Sequence, residues 1–192
     1  MKNAILAYQA KSFYNAYIVL EQLKPDDDEL LLVVPALVNG AFSVELAIKA
    51  ILVEQGIPYS NEHNLKLLFD RLPLDIQAQI WTFLATKAPE YADETKRENE
   101  LLLISNAFVQ WRYCFERNQP APGFDTRFLA AFANAVIFVM FDLGYNPSYV
   151  KSEVTASSAK YAEIDRKFAN NRNECIKHNQ EIIRKRSEGK KT

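Results

Sequence analysis

Few side chains among these 192 residues are equipped for acid–base, nucleophilic or metal chemistry: two histidines, His63 and His178, and two cysteines, Cys114 and Cys175. With no close cysteine pair, a Cys/His zinc site is excluded, and so few cysteines fit a reducing compartment rather than a disulfide scaffold. The chain has no glycine-rich phosphate loop, no Ser-His-Asp pattern and no helix with paired histidines. Neither a metal nor a cofactor is expected.

What remains is charge set at helical spacing. Glu45 and Lys49 stand one turn apart and can form an i,i+4 ion pair. Their neighbours Leu46, Ala47, Ile48, Ala50 and Ile51 are apolar, so the pair is expected to be half-buried. It reads first as a structural pair, with Lys49 as a ligand contact the alternative. Arg112 and Glu116 share that spacing beside Trp111 and Tyr113, which suits a cleft, although an arginine anchoring a helix end has the same pattern. His63 follows Ser60-Asn61-Glu62 at a helix start, where capping or packing competes with ligand contact.

The formal net charge of −1 conceals an uneven distribution. Residues 166–192 hold nine Lys/Arg and three Asp/Glu, a balance of +6, while residues 1–165 hold fourteen and twenty-one, a balance of −7. The basic end could track a phosphate backbone with salt-dependent affinity. It could equally be a solvated helix, or one docked on the acidic body of a dimer mate.

These residues must be carried by helices. Hydrophobic residues make up 48% of the chain with only five glycines, which excludes a disordered or collagen-like chain. Helices are predicted over 3–23, from the acidic run at Asp26 to about Gln55, over 60–72, 75–88, 93–116, 126–143 and about 159–187. Lys24-Pro25, Gly56, Pro73, Asn118-Gln119-Pro120 and Gly144 mark their stops. Pro35 falls in the first turns of the second helix or marks a late start. The apolar runs 30–38 and 128–141 are shorter than the roughly twenty residues a bilayer requires and read as buried core. With no signal-peptide pattern at the N-terminus, a cytoplasmic location is expected. The fold class is all-α, a bundle over 1–150 followed by a linker and basic helix over 151–192.

A helix carrying Glu45-x-x-x-Lys49-x-x-Leu52, a stop at Gly56, and then His63-x-Leu65-x-x-Leu68 resembles the HEPN superfamily, the higher eukaryote and prokaryote nucleotide-binding bundles. Trp111-Arg112-Tyr113, ahead of the last core helix, resembles the Arg-Tyr dipeptide that family members often carry. The matches span roughly residues 10–143. The resemblance implies an up-and-down bundle of four or five helices, usually a homodimer, here extended by the basic C-terminal helix. It also implies one of two functions. Many members are metal-independent endoribonucleases of toxin–antitoxin, phage-defence or RNA-processing systems, built on an Arg followed four to six residues later by His. Others are non-catalytic binders of RNA or nucleotides, often beside a nucleotidyltransferase, as an antitoxin-like partner would be.

At the matched Arg112 the cleavage motif is broken. The run reaches Glu116, Arg117 and Asn118, with asparagine where histidine could stand. Asparagine can hydrogen-bond a phosphate or a 2′-hydroxyl but cannot exchange a proton near neutral pH. The spacing is satisfied literally at Arg172-Asn173-Glu174-Cys175-Ile176-Lys177-His178. There arginine would hold the scissile phosphate and histidine would move the proton. Six residues at ~100° each set Arg172 and His178 about 120° apart on a regular helix. Convergence would need an irregular helix start or a partner subunit, and His178 also fits a packing stripe with Phe168, Cys175 and Ile182. The expected function is therefore RNA or nucleotide binding, with cleavage left open and a non-catalytic dimeric interaction module as the alternative.

Overall fold

The computed structural model describes residues 2–22, 29–59, 61–105 and 125–144. These form a helical bundle with no strand among the described residues. The elements are α1 (Lys2–Gln22), α2 (Glu29–Glu54), α3 (Leu65–Phe69), α4 (Leu74–Lys87), a 3-10 turn (Pro89–Tyr91), α5 (Glu94–Ile104) and α6 (Thr126–Asp142). All of them belong to one compact unit, Met1–Pro147. The basic helix expected over 159–187 and the far end of the one expected over 93–116 lie outside the described residues.

Helix α2 is the axis of the bundle, packed against α1 and α6. From Val44 to Leu52 every residue is buried, apolar and polar alike, as expected of a helix with neighbours on all sides. It runs through Pro35, whose carbonyl accepts from Asn39 Nδ2 at 2.7 Å. The segment Leu32–Glu54 is long and apolar enough to cross a membrane by length and composition, although most of it is buried inside the protein. Gly40 lets α1 approach. A Cβ there would lie 3.2 Å from the ring of Tyr17, which is itself fully buried.

The second half of the core is aromatic. Phe132 lies 5.7 Å from Phe69, 5.4 Å from Trp81 and 5.6 Å from Phe128, ring centre to ring centre. Phe128 meets Tyr91 edge to face at 5.1 Å. α6 is placed by its cap: Asp125 Oδ1 accepts from Arg127 N at 3.0 Å, and Oδ2 accepts from the Tyr91 hydroxyl at 2.7 Å. Hydrogen bonds from the Arg127 side chain outweigh the opposing effect of burial and, with that hydroxyl, hold the Asp125 carboxyl down at about 2, from an ordinary 3.8.

A lowered carboxyl pKa contributes stability that is present above the unfolded value and lost as pH falls through the folded one. Asp125→Asn keeps a capping side chain but loses the charge, so wild type should exceed it by about 1 kcal/mol near neutral pH. That gap is expected to close as pH falls from about 4 to about 2. Urea midpoints of both proteins across this window test it, and a constant gap contradicts it.

Candidate functional site

Glu45, Lys49 and His63, all of the first matched pattern, meet where α2 ends. Gly56, at φ 67°, terminates the helix. Its N–H donates to Val53 O at 3.1 Å and that of Ile57 to Leu52 O at 2.8 Å, the paired bonds of a Schellman stop. The chain then turns back beside the last turns of α2. Tyr59 comes under Lys49, with Nζ 5.4 Å from the ring centre. Glu62 Oε1 accepts from the backbone N–H of His63 and of Asn64 at 2.9 and 2.8 Å. Asn64 caps α3 through Leu67 N at 3.0 Å. Leu65 N donates to Ser105 O at 2.8 Å, fixing this corner to the end of α5.

The result is a three-residue cluster on one carboxylate oxygen. Glu45 Oε1 accepts from Lys49 Nζ at 2.7 Å and lies 3.0 Å from His63 Nδ1. A carboxylate only accepts, so the proton of the second bond is on Nδ1. Glu45 is 1% exposed and Lys49 7%, whereas the His63 side chain is 50% exposed. Glu45 Oε2 is buried with no hydrogen-bond partner among the described residues. The pair expected to be half-buried is fully buried, because α2 is enclosed along this stretch. Burial leaves the Lys49 ammonium little surface and its charge is matched by Glu45. His63 is the member of the cluster that reaches the surface, and the cluster can orient its imidazole by a fixed hydrogen bond.

Of the side chains singled out by sequence, Lys49 and His63 are thus brought together through Glu45, which lies 18 positions before His63. Arg112, Glu116, Arg117, Asn118, Arg172, Asn173 and His178 lie outside the described residues. The expected start of a helix at Ser60 is corrected: α3 begins at Leu65, since Glu62 and His63 are held in a loop by the bonds just described. Tyr59 and the link from Glu45 to His63 were not foreseen. Only the position of His63 just after the stop at Gly56 hinted that the chain doubles back here. Among the described residues no three His, Cys, Asp or Glu side chains could jointly hold a metal ion.

Fold and cluster define an all-α bundle with a buried acid–base pair supporting a surface imidazole. The chain matches no protein-family model, no curated protein and no solved structure.

Proposed function

We propose that this chain is a HEPN-like bundle, homodimeric and cytoplasmic, that binds RNA or nucleotides in a bacterial-type stress or phage-defence system. The observation that supports the reading is the shared carboxylate. Glu45-x-x-x-Lys49 and His63-x-Leu65, the two parts of the pattern that carries the resemblance, come together at Glu45 Oε1. In this reading Glu45 and Lys49 position His63, and His63 touches the ligand. Arg112, Arg117, Asn118 and the cations of 166–192 supply phosphate contacts.

A second reading, a non-catalytic interaction module or antitoxin-like partner of a nucleotidyltransferase, is favoured by Asn118 standing where the cleavage motif would place histidine. RNA incubated with the purified protein in EDTA separates the two, when run on native and denaturing gels together. Cleavage that disappears in His178→Ala supports a metal-independent ribonuclease using Arg172 and His178. Cleavage that survives His178→Ala but not Arg112→Ala moves the site to Arg112. Binding without cleavage supports a non-catalytic RNA binder, and neither binding nor cleavage of RNA or nucleotides leaves only the interaction module.

A further inference from the structure

We propose that the outer face of α1 is the surface on which two copies of this chain meet, with the two helices antiparallel. This rests on the homodimer of the proposed reading and says where it forms. Along α1 the exposed residues Ile5, Tyr8, Ser12, Asn15, Val19 and Gln22 alternate in steps of three and four. That spacing is the seam of paired helices, and it runs opposite the stripe of Ala7, Ala10 and Tyr17 that α1 buries in its own bundle. From Ile5 to Gln22 the seam is about 26 Å long.

Charge selects a second copy as the occupant. Helices α4, α5 and α6 each expose both signs, as Asp75 and Lys87, Glu94 and Lys96, and Asp142 and Arg127. Between Ile5 and Val19, α1 exposes neither. Its one cation in that span, Lys11, lies over the rings of Tyr14 and Phe141 at 5.0 and 5.7 Å. Residues 1–165 carry a balance of −7, so two copies repel wherever their carboxylates face each other and can close on an uncharged seam. A nucleic acid would find no exposed cation there to hold its phosphates.

The pattern is also complementary to itself, as a two-fold interface requires. Turned end for end, the seam sets Tyr8 on Val19 of the second copy, large on small, at each end. Ser12 then stands beside Asn15 of the second copy at the centre. The Ser12 hydroxyl donates to Tyr8 O at 2.9 Å, which leaves its oxygen to accept from the Asn15 side-chain amide. A polar layer of this kind fixes the register of a helix pair. Parallel helices would instead bring two exposed Glu21 carboxylates together and align the two helix dipoles.

Sedimentation of the full chain from about 2 to about 200 µM reads the dissociation constant. A reversible dimer is expected, weakened at least ~10-fold by Ser12→Arg, which sets a cation on each side of the two-fold axis, and unchanged by Thr82→Arg on α4. Val19→Arg makes the same test should Ser12→Arg not fold. Disulfide formation in a Cys114→Ser, Cys175→Ser background reads the orientation. Mixed Tyr8→Cys and Val19→Cys chains should cross-link to one another faster than either does to itself. A monomer at about 200 µM overturns this inference together with the homodimer of the proposed reading. A dimer indifferent to both arginine substitutions, or cross-linking only within each variant, overturns this inference alone, since a dimer built on another face would leave that reading standing.

Discussion

Lys49→Met is expected to destabilise the folded chain by about 3–5 kcal/mol, because it strands a buried carboxylate. Methionine keeps most of the lysine stem and its packing, so the change removes charge and hydrogen bonding far more than volume. Glu45 would be left with His63 as its partner at 3.0 Å, and that side chain is half exposed. Its second oxygen is already without a partner among the described residues. Removing both charges is a different matter. Glu45→Leu combined with Lys49→Met should return to within about 1 kcal/mol of wild type, since a well-packed apolar pair can replace a buried ion pair at little cost. Urea unfolding of the four proteins of this double-mutant cycle measures the coupling. Equal midpoints for wild type and Lys49→Met would contradict a buried, ionised pair.

Phe132→Ala is expected to cost a similar amount, about 3–5 kcal/mol, by a different mechanism. Phe132 is fully buried and touches three other rings, on α3, α4 and within α6 itself. Its removal leaves a void that those rings cannot close without leaving their own rotamers. Phe132→Leu should recover a large part of the loss, because it restores most of the apolar volume. In a Trp111→Phe background the emission of Trp81 reports the damage, since that indole packs on both Phe69 and Phe132. A red shift accompanied by a lower urea midpoint is expected, and an unchanged midpoint would show that this region is not the core.

The contrast between those two sites explains what was legible in the amino-acid order. α6 was readable almost to the residue: the run from Thr126 is capped by Asp125, and Gly144 at φ 95° closes it. Local chemistry decides both ends of that helix. Glu45 and Lys49 were legible as a pair for the same reason, being one turn apart. Their depth was not, because it is set by α1 and α6 closing over α2. The start of α3 is not fixed by local sequence, since Ser60, Asn61 and Asn64 are all competent caps. The choice of Asn64 follows from a tertiary event, the bond from His63 back to Glu45. The exposure of Leu74 on α4 and of Phe138 on α6 was likewise invisible, as neither differs in any local way from the apolar residues that are buried.

The proposed function is tested most directly by titrating fluorescently labelled single-stranded RNA with the full chain at several salt concentrations. If roughly five of the cations in the chain contact phosphate, the log–log slope with salt is about −3.5 and affinity falls about 100-fold between 50 and 200 mM salt. His63→Ala should weaken binding further while leaving most of the salt slope in place, because the Lys and Arg contacts to phosphate that set it are unchanged. Salt-dependent binding of this size, reduced by His63→Ala, is the predicted result. No binding of RNA, or binding indifferent to both salt and His63, would contradict the account.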